Sequence, residues 1–143
     1  MAAGKVAAGF VIFRRFHSKV EYLLLQTSYG INHWTPPKGH VDPGETEWET
    51  ALRETVEESG LVESDLKFYK DCKKVLNYPV NGKPKKVIYW LAELVNKNAL
   101  VKLSDEHQAF EWLPFDKACE YGSFKDIVDT FKEFDTYITN NCA

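Results

Sequence analysis

The sequence predicts an α+β fold in which a mixed β-sheet is held between α-helices. Three observations carry that reading. Apolar, β-branched segments surround one amphipathic helix, Asn81-Gly82 marks a hairpin between two strand-like runs, and apolar residues recur at helical spacing near the C-terminus. At 143 residues the chain fits one ordinary domain with a real core, and no repeat, low-complexity run or linker divides residues 1–143.

Val6–Phe13 and Glu21–Gln26 are apolar segments joined by a polar stretch and read as the first two strands. Tyr29–Gly44 follows as a loop, with Pro36-Pro37 enforcing extended backbone and Asp42-Pro43-Gly44 forming a turn. Thr46 with Glu49 three residues on is a capping box, and Gly60 suits the position just past a helix end. Those signals bound a helix from Glu47 to Ser59. Leu66–Tyr78 and Lys86–Val95 flank the Asn81-Gly82 hairpin turn, and His107–Leu113 reads as a further strand. Phe124, Ile127, Val128, Phe131 and Phe134 then define the core face of a C-terminal helix.

Composition excludes several classes. With 44% hydrophobic and 27% charged residues the chain is ordinary globular material, and a net charge of −3 gives no basis for binding nucleic acid through phosphates. Cys72, Cys119 and Cys142 are odd in number and form no CxxC pair, which predicts reduced thiols. The N-terminal apolar run is too short for a signal peptide, and nothing approaches the ~20 apolar residues of a membrane span. A soluble, cytoplasmic protein is expected. Four Trp, seven Tyr and nine Phe are a generous supply that goes mostly to the core, and spare flat faces would also suit a nucleobase pocket.

The central helix has two faces. Stepping 100° per residue from Glu54 places Glu57 at roughly −60°, Glu58 at about +40° and Glu47 at about +20°. Trp48, Leu52, Thr55 and Val56 fall on the opposite side. Like charges at i and i+4, such as Glu54 and Glu58, disfavour a helix and oppose full ionisation. A hard divalent cation with oxygen ligands removes the conflict. Arg53, one turn before Glu57, can pair with it and fix its orientation. The plain alternative is a solvated acidic face.

The stretch GHVDPGETEWETALRETVEESGL, Gly39 to Leu61, decides between these, because it resembles the signature of the Nudix hydrolases, G-x5-E-x7-R-E-U-x-E-E-x-G-U with U aliphatic. Gly39, Glu45, Arg53, Glu54, Glu57, Glu58, Gly60 and Leu61 are in register, and Thr55 at the first aliphatic position is the one departure. Seven exact matches at about one in fifteen each coincide by chance roughly once in 10⁸. The resemblance implies the Nudix fold, with a loop–helix–loop that holds Mg²⁺, or Mn²⁺ in its place. It implies Glu57 and Glu58 as principal metal ligands, Glu54 as a further ligand or orienter, and the Lys38 carbonyl as another. Glu106 in LSDEHQAFEWL is the candidate extra acid, as ligand or general base, with Asp105 its rival.

Beyond the signature, AAGFVIFRR, YLLLQTSYG, NHWTPPKGHVDPGE and NGKPKKVIYWLAEL resemble the branch of that family made up of the asymmetrical diadenosine tetraphosphate hydrolases of animals. The substrate this implies is a dinucleoside polyphosphate, split by water into ATP and AMP. On that reading His33, Lys38, His40, Lys83 and Lys85 hold phosphates, while Tyr78, Tyr89 and Phe124 are candidates to stack an adenine. Plainer roles compete: edge charges for Lys83 and Lys85, core packing for Phe124. A monomer suffices. Capped or triphosphorylated RNA ends, another nucleoside diphosphate derivative, and a binding module without catalysis are the other readings.

Overall fold

The computed structural model describes residues 5–142, so the first four residues and the last of the expected 1–143 domain lie outside the described residues. Along the chain come β1 (Lys5–Phe16), β2 (Lys19–Thr27), β3 (Trp34–Thr35), β4 (Lys38–His40) and α1 (Glu47–Ser59). After a 3-10 turn at Glu63–Asp65 follow β5 (Leu66–Val80), β6 (Lys83–Leu94), β7 (His107–Leu113), α2 (Phe115–Gly122) and α3 (Lys125–Asn141).

The strands make one sheet in the order β3-β2-β1-β6-β5, with β4 paired to β1 and β7 to β2. β1 and β6 run parallel from Lys5↔Lys85 to Phe13↔Glu93, and the other pairings are antiparallel. Successive side chains of β1 alternate between two cores, as the period of a strand requires. Ala7, Val11 and Phe13 pack with Phe131, Phe134 and Ile138 of α3, while Ala8, Phe10 and Ile12 pack with Ala51 of α1 and with Leu61. Helices therefore cover both faces. The mixed sheet held between helices, as the sequence predicts, is what the chain adopts.

Local chemistry explains the element ends. The Thr46 hydroxyl accepts the Glu49 N–H at 3.1 Å, and the Glu49 carboxylate accepts the Thr46 N–H at 2.9 Å. Gly60 ends the helix at φ 75°, a left-handed conformation that glycine adopts without penalty. Asn81 and Gly82 both have positive φ (53° and 77°), the geometry of a two-residue hairpin turn matched to strand twist.

Four expectations need correction. The proline-rich loop contains β3 and β4, short strands held by pairing to β2 and β1. α2 had no sequence counterpart. Phe124 is the N-cap of α3 and is 57% exposed, so the core face starts at Ile127. Val56 is exposed, whereas Thr55 is buried as expected. Cys72, Cys119 and Cys142 are free thiols. Among the described residues, no helix is long and apolar enough to cross a membrane.

Candidate active site

β4 is the hinge of the site. It docks on β1 at Ala7, Ala8 and Gly9, and α1 packs against both strands. Two glycines permit that approach: a Cβ on Gly9 would sit 2.1 Å from the Pro37 carbonyl oxygen, and one on Gly39 would sit 2.0 Å from the Glu54 carboxyl carbon. The backbone of β4 thus lies directly against the carboxylates of α1.

A cleft of ≈ 230 Å³ opens there. Glu54, Glu57, Glu58 and Glu106 line it together with Tyr29, His33, Lys38, His40 and His107. Most of the residues singled out in the sequence therefore share one space. Glu58 is 7% exposed, and its Oε1 accepts the Lys38 N–H at 2.9 Å. Burial pushes its carboxyl up to about 8, opposed by that hydrogen bond and reinforced by repulsion from Glu54 and Glu106. Burial also raises Glu54, against the pull of Arg53. Glu47 turns elsewhere, to an ion pair with Lys86 at 3.3 Å.

Arg53 does pair with Glu57, as expected, but more weakly than with a residue before the helix. Its main partner is Glu45, at 2.6 Å from Nε and 2.9 Å from Nη2, a two-point fork, while Nη1 reaches Glu54 at 3.0 Å and Glu57 only at 3.3 Å. Glu45 also accepts the Thr50 hydroxyl at 2.7 Å and the Asp42 N–H at 3.0 Å. Arg53 foremost holds the Glu45 carboxyl down to about 2.

Basic residues line the same cleft. Burial lowers the pKa of His33 and of His40, and the charges of Lys38 and Lys85 lower both further. Burial likewise lowers Lys85, with Lys38 and Lys5 adding to it. Lys85 is not among the lining residues, but its charge reaches His33 and His40. Lys83 is exposed at the hairpin end, paired with Val80, and does not line the cleft.

The aromatic candidates separate. Tyr89 is 3% exposed within the core, so it has no free face for a base and is removed from the binding set. The strand parity that pairs it with Gly9 turns it inward. Tyr78 is half-buried beside that core, across the sheet from Lys85. Phe124 is exposed, its ring edge-on to His33 at 6.2 Å between centroids. Sequence reasoning missed Tyr29, Thr27 and His107 as cleft residues, because neither period nor motif spacing marks them.

The donor set fits a hard divalent cation. All its side-chain ligands are carboxylate oxygens, and the buried Glu58 beside Glu54 is a charge conflict that such an ion relieves. Among the described residues, no three His, Cys, Asp or Glu converge closely enough to cage a metal alone. Glu57 leans on Arg53 and Glu58 on the Lys38 N–H, so each carboxylate is oriented by a donor.

Three comparisons bear on this geometry. The model of the NUDIX domain matches residues 4–133. The asymmetrical bis(5'-nucleosyl)-tetraphosphatase of Mus musculus is 48% identical over 143 residues, spanning 96% of this chain and 97% of its own. That of Caenorhabditis elegans is 46% identical over 132 residues, spanning 92% and 95%. The crystal structure of a C. elegans Ap4A hydrolase binary complex superposes with a TM-score of 0.92 at 44% identity, over 95% of this chain and 98% of that one.

Proposed function

This chain belongs to the Nudix family, and from that premise we infer that it hydrolyses diadenosine tetraphosphate asymmetrically, to ATP and AMP. One observation supports the reading above others. Carboxylates of α1 and Glu106 share one cleft with His33, Lys38 and His40, which suits metal-assisted attack of water on a polyphosphate.

Nudix hydrolases work with divalent metal ions; here Mg²⁺ is the assigned ion, with Mn²⁺ able to substitute. Glu57, Glu58, Glu54 and the Lys38 carbonyl would hold it, and Glu106 would serve as a further ligand or as the base for the attacking water. When bound, the ion neutralises phosphoryl oxygens and lowers the pKa of a bound water. Arg53 keeps Glu45 and Glu54 in place from behind. His33, Lys38, His40 and Lys85 hold the remaining phosphates, so that water meets the phosphorus that leaves as AMP. Phe124 and Tyr78 offer faces for an adenine. Residues 1–143 act as one domain, as a monomer, in the cytoplasm and without a nucleic-acid partner.

The test is hydrolysis of diadenosine tetraphosphate with Mg²⁺ in ¹⁸O-labelled water, with EDTA as control. ATP and AMP with the label in AMP are expected. Two ADP would overturn the point of cleavage, and metal-independent turnover would overturn the assigned chemistry.

A further inference from the structure

Three buried side-chain atoms have no hydrogen-bond partner among the described residues: Nδ1 of His33, Nδ1 of His107 and Oγ1 of Thr55. The two histidines line the same cleft and flank the same residue. The Thr27 N–H donates to the His33 carbonyl at 3.0 Å, and Thr27 is paired with His107 between β2 and β7. His107 is 7% exposed, and its own backbone N–H donates to the Ser104 carbonyl at 3.2 Å. The polyphosphate reading of the cleft gives His33 and Lys38 a task and leaves His107 without one.

The orphaned nitrogen fixes the tautomer. A proton on Nδ1 would be a buried donor with no acceptor, which costs more than a bare lone pair, so the proton of the neutral ring sits on Nε2. Nε2 is not among the buried atoms without a partner, and the residue borders the cleft. A phosphate chain offers acceptors only, so a ring locked as an Nε2 donor suits it and adds no charge to a wall that already carries Lys38. The geometry points to the His107 Nε2–H as a hydrogen-bond donor to the phosphate chain of the substrate. This rests on the polyphosphate reading of the cleft.

The test compares His107→Leu, His107→Gln and His107→Asn. Glutamine sets its amide near the place of Nε2, and asparagine sets its amide near that of Nδ1. Calorimetry with Mg²⁺ measures binding of a methylene-bridged diadenosine tetraphosphate analogue and of inorganic tripolyphosphate, and Tm is read alongside. His107→Leu and His107→Asn should weaken both ligands by roughly tenfold to a hundredfold, the worth of one hydrogen bond to a charged oxygen. His107→Gln should keep most of the affinity. The Tm of His107→Leu should be unchanged or higher, since Nδ1 has no partner to lose. Wild-type affinity in His107→Leu, equal losses in the Gln and Leu variants, or a lowered Tm in His107→Leu would each overturn the assignment. A wild type that binds tripolyphosphate but not the analogue refutes the diadenosine reading and leaves the His107 comparison intact; binding of neither overturns both.

Discussion

The Arg53 guanidinium grips both carboxylate oxygens of Glu45, at 2.6 and 2.9 Å, and gives Glu57 only the outer contact at 3.3 Å. The arginine thereby ties the turn before α1 to the helix that carries the acids. Its contact with Glu54 at 3.0 Å makes it a brace for the whole carboxylate row.

Arg53→Lys should therefore lower kcat by roughly tenfold or more while changing KM little, because a single ammonium cannot reproduce the planar fork. Steady-state kinetics at saturating Mg²⁺ checks this. An effect confined to KM would count against a bracing role.

The Glu45–Arg53 pair also predicts a pH dependence. The Glu45 carboxyl sits at about 2, below its ordinary 4.5, so the unfolded chain binds more protons there than the folded one. Its stabilising contribution is complete above about pH 4.5 and is lost as pH falls toward about 2. Urea midpoints of wild type and Glu45→Gln should differ near neutrality and converge through that window. A gap that stays constant would remove Arg53 as the cause.

Gly39→Ala should abolish most turnover without unfolding the protein. The added Cβ would meet the Glu54 carboxyl carbon at 2.0 Å, so a flexible acidic side chain must swing out of the cleft. Circular dichroism and Tm should be near wild type, and kcat should fall by about a hundredfold for loss of one metal-facing acid. Full activity would show that Glu54 can work from another rotamer.

Glu58→Gln should lower kcat by about two orders of magnitude or more, with the fold kept. The amide oxygen can still accept the Lys38 N–H that holds β4 against α1, while the negative charge is gone. Near wild-type turnover at saturating Mg²⁺ would take Glu58 out of the ligand set.

Phe124→Ala should raise KM by roughly fivefold to a hundredfold, the ~1–3 kcal/mol of one stacked base, at little cost in Tm, because that ring is exposed. Tyr78→Ala should affect both, since Tyr78 also packs against the core. Unchanged KM in both variants would place the base elsewhere.

Features written in local chemistry were legible before the fold. The ends of α1 followed from Thr46, Glu49 and Gly60, and the acidic face from helical spacing alone. Features set by distant pairing were not. β3 and β4 are two and three residues long and exist because β2 and β1 hold them. Glu45 escaped as the partner of Arg53 because it lies before the helix, where helical spacing has no reach. Tyr89 was misread because Val87, Ile88, Tyr89, Trp90 and Leu91 are apolar on both faces of β6, which conceals the inward side. Phe124 matched the period of α3 but stands one residue outside it.

The caps of α1 make it a self-bounded cassette, since both ends are set by residues between Thr46 and Gly60. The rest of the cleft lining comes from other segments: the end of β2, the β2–β3 loop, β3, β4 and the start of β7. The three acids of the signature helix are therefore inherited on one stretch of chain, while Lys38, Glu106 and the other lining residues are inherited on several. Exchange of those other segments can retune which polyphosphate is taken while the acid-bearing helix stays folded, and a redesign of specificity should begin there.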